Sequence, residues 1–352
     1  MKKQIMFMAM TAMLIASCSS DDVVSTNTGR AIDFRTSVGT RGTETTTDNI
    51  TKFWVTAIDE AGANYFSKQE FTKDGGFFTS SPVYYWPAGT LNFFAYSPSE
   101  TDLGATVTID KDTKNLADFS PATEIANQKD FVTATASGTR AANETNGVEL
   151  TFAHQLSQIE IKAKNTNTGY IYKVVGVRIG KPVSKGTFTF DTNKWTLTTT
   201  EKTNYAVEYA TTPRTLAADA ATMMGTANDN AMLLPQQLVA WTPETDKANT
   251  NKGAYIALKI QITTKDGARV YPAKAKGDYD WAAVAINTKW EAGKKYVYTL
   301  DFSNGAGKVD PEKPEPTDPT DPFKPGENIL GKPIKFTVEV TDWVPADKPV
   351  EM

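Results

Sequence analysis

From Ile334 to Val344 the chain alternates, with Ile334, Phe336, Val338 and Val340 on one face and Lys335, Thr337, Glu339 and Thr341 on the other. A period of two predicts a strand with one buried face. Trp343 falls out of phase, which predicts a bulge or a change of face near Asp342. Close to the other end, Ala31 to Val38 alternates in the same way, Ile32, Phe34 and Val38 against Asp33, Arg35 and Ser37. Both ends of the chain thus carry a short strand.

Between them, short apolar runs recur with turn residues in the gaps. Ile50–Ile58 and Tyr65–Phe71 flank a hairpin turn at Asp59–Asn64, with Gly62 in it. Val83–Trp86, Thr90–Tyr96, Thr106–Ile109, Phe131–Thr135 and Val148–Phe152 complete a first series. A second opens with Gln158–Ala163 and continues through Tyr170–Ile179, Thr187–Phe190, Trp195–Thr198, Ala254–Ile262, Arg269–Ala273 and the run Tyr296, Tyr298, Leu300, Phe302. Ala210–Gly225, containing Ala and Met, predicts a short helix. Strands at this spacing, without helical crossovers, predict an all-β chain of two successive β-sandwich domains. We place these at 42–155 and 156–302, with the boundary near His154–Ser157. The Pro- and acid-rich run 303–331 has little to pack and reads as a tether, leaving 332–352 as a tethered C-terminal strand. Trp86-Pro87-Ala88-Gly89 and Trp290-Glu291-Ala292-Gly293 each open an aromatic strand, a faint internal echo that a shared turn preference would also produce.

Composition narrows the chemistry. A net charge of −4 over 352 residues argues against nucleic acid as a partner. One cysteine and one histidine exclude an internal disulfide and Cys-rich or multi-His metal sites. No Gly-rich phosphate loop is present, and no cofactor is expected. Carboxylates are numerous, so a glycosidase pair is not excluded by counting, but most alternate outward and none has a distinctive setting. His154, between Phe152 and Leu156, reads as a packed or hydrogen-bonded histidine at the junction rather than a general base. The chain is read as a non-enzyme. Phe77-Phe78 and Tyr84-Tyr85-Trp86 read as core and rim of a sandwich, with stacking on sugars as the alternative.

The N-terminus carries an address. Lys2 and Lys3 precede the apolar run Ile5–Ala16, which is too short to span a bilayer. Ile15-Ala16-Ser17-Cys18 resembles the bacterial lipobox, so 1–17 reads as a signal peptide and Cys18 as the lipidated residue. Ser19-Ser20-Asp21-Asp22 resembles the acidic signal that sends Bacteroidetes lipoproteins to the outer face of the outer membrane. Arg41, in Gly39-Thr40-Arg41-Gly42-Thr43 before a polar run, sits in an exposed loop of the kind proteases cut. On loop chemistry alone it is a surface arginine.

Taken in order, these parts resemble the fimbrillin family of Bacteroidales, the subunits of type V pili. The likeness is carried by Ala31-Ile32-Asp33-Phe34 leading to Thr40-Arg41-Gly42, by Phe152-Ala153-His154-Gln155-Leu156-Ser157, and by Leu234-Pro235-Gln236. Trp290-Glu291-Ala292-Gly293 with Tyr296-Val297-Tyr298, and Phe336 to Val344, complete it. The resemblance implies two transthyretin-like sandwiches and a surface-exposed lipoprotein held in the outer membrane through Cys18. It implies that a trypsin-like Arg/Lys-specific protease cuts between Arg41 and Gly42 and so removes the propeptide 18–41. Ile32, Phe34 and Val38 then belong to a displaced first strand. Ile334, Phe336, Val338, Val340 and Trp343 belong to a donor strand that fills the vacated groove of a homologous pilin subunit. Arg30 and Arg35 are the competing cut sites. The product would be a stalk or tip subunit of a fimbrium supporting cell adhesion, with a host or bacterial glycan or protein as its ligand. A membrane-retained pilus anchor and a surface glycan-binding lipoprotein are the alternatives.

Overall fold

The computed structural model describes residues 30–38, 50–209, 211–225, 230–242, 253–273, 277–313 and 323–343. Cys18, Arg41 and Gly42 lie outside them. The regular structure of the described residues is nearly all strand, and the first series closes into a barrel. Phe34–Val38 is followed round the barrel by Phe77–Ser80, Asn64–Asp74, Lys52–Asp59, Leu91–Ser97, Val132–Gly138 and Val148–His154, which returns to Phe34–Val38. The predicted hairpin joins Lys52–Asp59 to Asn64–Asp74. Its turn is made by the Asp59 carboxylate, which accepts from Ala63 N at 2.8 Å, and by Gly62 at φ +84°, a backbone that side-chain-bearing residues rarely adopt. Alternation along each strand sends Phe53, Phe71, Phe93 and Phe152 inward, and they fill the barrel.

At Gln155 and Leu156 the chain leaves the barrel for a pair of packed sheets. One runs in the order Ala221–Met224, Ser157–Lys164, Lys294–Asp301, Lys335–Asp342, with Ala231–Leu233 also paired to Ser157–Lys164. The other centres on Tyr170–Gly180, Tyr255–Thr264 and Asp280–Ala285. Ile159, Ile161, Val174, Leu258, Ile260 and Tyr298 meet between them as the largest core.

A fourth sheet ties the two series together. Thr106–Ile109 and Lys114–Phe119 come from the first, Gly186–Thr189 and Lys194–Leu197 from the second, and the join pairs Phe119 with Gly186 and Leu116 with Phe188. Phe119, Phe131, Phe188, Phe190 and Trp195 pack beneath it. His154–Ser157 is therefore where the chain changes sheets, but the halves on either side share a sheet.

Several expectations are corrected. Of the expected helix Ala210–Gly225, the described residues 211–225 hold two short strands instead, Arg214–Thr215 and Ala221–Met224. Pairing along Tyr170–Gly180 and Ser157–Lys164 overrides the modest helical preference of Ala and Met. Val83–Trp86 forms only a bridge, Ala31 to Tyr85. The run 303–331 is not a free tether over its described parts. Lys308–Val309 pairs with the Asp280–Ala285 strand, and Ala306, Val309 and Ile329 are buried. Charged partners fix it further, Asp310 on Arg178, Glu312 on Lys181 and Lys313 on Asp280. Of the two alternatives near Asp342, the bulge is absent, since the ladder from Asp301–Lys335 to Lys294–Asp342 is unbroken, while the change of face agrees with Trp343 packing in the junction core and Ile334, Phe336 and Val338 on the large one.

Candidate functional site

The first strand closes the barrel. It pairs in parallel with Val148–His154 over five positions, Phe34 with Val148 through Val38 with Phe152. On its other side only Phe34–Phe78 is paired. Ile32 N donates to Tyr84 O at 2.8 Å, and Val148 N donates to Asp33 O at 2.9 Å. Gly147, at φ +69°, allows this approach, since a Cβ there would stand 3.0 Å from Asp33 O.

Ile32 and Phe34 are fully buried. The Phe34 ring meets Phe71, Phe93 and Phe53 edge-on, at centroid distances of 4.7, 5.1 and 6.0 Å. These are favourable aromatic geometries, and they make Phe34 the plug of the barrel. On the outer face Arg35 lies 4.7 Å over the Phe77 ring. The Asp33 carboxyl is held above the usual carboxylate range, first by burial and then by the nearby Asp74 carboxylate. The expected strand residues Ile32 and Phe34 thus meet in one core. Val38 continues the ladder opposite Phe152.

The last strand, Lys335–Asp342, lies at the edge of its sheet, antiparallel to Lys294–Asp301. Its apolar face is incompletely covered: Phe336 and Val338 are half-buried, and Val340 is 51% exposed. Phe336 packs 6.1 Å from Tyr298. Burial is concentrated at the two ends instead. Ile334 enters the large core, and Trp343 is fully buried at the junction of the halves. The Trp343 indole stacks on His154 at 4.4 Å, and the Trp343 backbone N–H donates to Gly293 O at 3.0 Å. Nδ1 of His154 lies 2.8 Å from Oδ2 of Asp130, without the alignment of a hydrogen bond. His154 is thus the packed junction histidine expected of it. Its carboxylate partner and its stacking on the last strand were not legible, because neither Asp130 nor Trp343 is near it in sequence.

The structure therefore keeps the two ends apart, the first strand in the barrel and the last on the opposite half. The aromatic cluster divides as core and rim: Phe78 and Trp86 are buried, while Tyr85 is exposed. A cleft of about 690 Å³ beside Trp86 is lined by Pro87, Ala88, Thr139, Arg140 and Glu144, with Arg140 and Glu144 paired across one helical turn.

A seven-stranded barrel closed by the first strand, joined through a shared sheet to a half whose last strand lies at a sheet edge, defines an all-β protein of two connected halves. Residues 40–343 match the fimbrillin-like family, and the chain belongs to it. Among solved structures it resembles a fimbrial protein from Bacteroides vulgatus, with a TM-score of 0.57 at 16% identity over 90% of this chain and all of that one. It also resembles one described as a cell adhesion protein from Parabacteroides distasonis, with a TM-score of 0.51 at 11% identity over 91% of this chain and 99% of that one. At these identities the likeness is one of fold. No curated protein matches the sequence.

Proposed function

We propose that the chain is a structural subunit of a surface fimbria that supports adhesion. In this reading it is exported as a lipoprotein through Cys18, cut after Arg41, and polymerised when another subunit's last strand enters the slot of the lost first strand. One observation carries the proposal: the barrel is complete only with Phe34–Val38 in place, and that strand supplies the core plug Phe34. Its loss would leave an unpaired edge on each side of an apolar slot, a surface that self-associates. A strand donated head to tail does not close on itself and so builds a filament. Fimbrial and cell adhesion proteins of the same fold agree with this placement on the cell surface.

Trimming by low-dose trypsin tests it. A stable product beginning at Gly42 that forms SDS-resistant ladders is expected. The double variant Phe336→Asp/Val338→Asp should keep its circular dichroism and stop donating, yet still cap a wild-type subunit. An assembled form that begins at Ala31 would retain the first strand and refute the slot. A lipidated form that never loses it would identify the anchor of the fimbria.

A further inference from the structure

Where the two halves meet, a cleft of about 350 Å³ opens on the outer face of the barrel. Its floor is one strand pair. Asn92 and Phe94 alternate outward along Leu91–Ser97, while Leu91, Phe93 and Ala95 turn into the barrel core. Ser137 stands opposite Asn92, and Thr135 opposite Phe94. Side chains directly opposite are about 5 Å apart and the two rows about 7 Å, a floor with room for one sugar ring. The next outward residue, Tyr96, is covered by Phe190, with ring centroids 6.4 Å apart. Phe190 and Asp191 come from the second series and form the end wall.

We propose that this cleft binds an uncharged pyranose unit of a glycan, its C–H face on Phe94 and its hydroxyls on Asn92, Thr135 and Asp191. Resting on the adhesion reading above, the site gives that reading a ligand class and needs no strand exchange.

The arrangement of polar and apolar groups supports this. A sugar ring presents an apolar face and a polar rim, and such a ligand fits one half-buried ring bordered by a few fixed polar groups. Ser137 Oγ donates to Asn92 Oδ1 at 2.7 Å, which orients the amide and keeps its Nδ2 as a donor. Lys114 Nζ lies 3.1 Å from Asp191 Oδ2 and 5.6 Å from the centre of the Phe94 ring, so it ties the wall to the floor. The second Asp191 oxygen serves as an acceptor, and the exposed Thr135 hydroxyl serves as either.

Charge selects among sugars. Lys114 and Asp191 cancel, so the cleft carries no net charge to attract an acidic sugar, and an anion would have to separate the pair. The larger cleft beside Trp86 lacks this character. Its aromatic is buried in the barrel core, and its Arg140 and Glu144 are engaged with each other.

Saturation-transfer NMR on the uncut full-length protein tests the site. The probes are the methyl glycosides of glucose, galactose, mannose and N-acetylglucosamine, with N-acetylneuraminic acid as the charged comparator. At least one neutral glycoside should receive saturation, and the acid should not. Thr135→Arg, at an exposed position opposite Phe94, lays a long side chain over the ring and should weaken binding at least about tenfold. Asn92→Asp keeps the shape and removes the donor, and should weaken it about fivefold. Both variants should melt like the wild type. Transfer to none of the neutral glycosides, preference for the acid, or binding unchanged by both folded variants would overturn the proposal. Ladder formation by trimmed Thr135→Arg reads the fimbrial reading separately: ladders without sugar binding by the wild type would overturn the sugar site alone.

Discussion

Trp343 and Phe34 occupy matching roles, each a large ring that fixes one terminal strand. Trp343 is buried whereas Val340, three residues earlier, is half-exposed, so the indole holds most of the end of the strand. Trp343→Ala should weaken docking by about 3–5 kcal/mol. Amide exchange over Lys335–Asp342 should then speed up by about a hundredfold or more, since each 1.4 kcal/mol is a factor of ten. Ser157–Lys164 should stay protected, and faster exchange there as well would make Trp343 an ordinary core residue. Buried tyrosines give a second expectation at this scale. Burial pushes the Tyr172 and Tyr298 hydroxyls up to about 12. A raised folded value means that the unfolded state releases its protons first, so this stabilisation is complete below about pH 10 and lost as the pH climbs through 12. Phenolate absorbance from these residues should appear together with unfolding. Its appearance near pH 10 with the fold intact would show that the hydroxyls are open to solvent.

At the scale of elements, the first strand is worth most where it closes the barrel. Phe34→Ala in the uncut chain should cost about 3–5 kcal/mol in a denaturant titration, and nothing once trypsin has removed the strand. An equal loss in both forms would mean that the strand survives trimming. Alternation made these elements readable: Ile32, Phe34 and Ile334 were identified as inward-facing from period alone. The out-of-phase position of Trp343 was readable too, but its destination was not. It lies against His154, and that contact depends on how two sheets meet. The packing of 303–331 was hidden for a similar reason. Its few apolar residues, Ala306, Val309 and Ile329, are scattered among prolines and acids, and Asp310 reaches Arg178, a partner far away in sequence. Phe77–Ser80, Lys114–Phe119 and Asp280–Ala285 are strands whose short or small-residue runs gave too weak an alternation to stand out.

At the scale of the molecule, the sheet joining Lys114–Phe119 to Gly186–Thr189 decides how the halves behave. Phe131 from the first series meets Phe188 at 5.3 Å and Trp195 at 6.0 Å from the second. Neither half completes that core alone. The protein should therefore melt in one calorimetric transition, with calorimetric and van't Hoff enthalpies equal. Two resolved transitions would show that the halves are independent.

The shared sheet also has a mechanical meaning. Paired domains ordinarily flex about their linker unless a large apolar contact prevents it. Here bending one half against the other must shear the ladder at Phe119–Gly186 and pull apart the rings beneath it. Each subunit is then a stiff strut. If such struts are strung end to end, as proposed above, and dragged by flow, their compliance resides in the joints between neighbours.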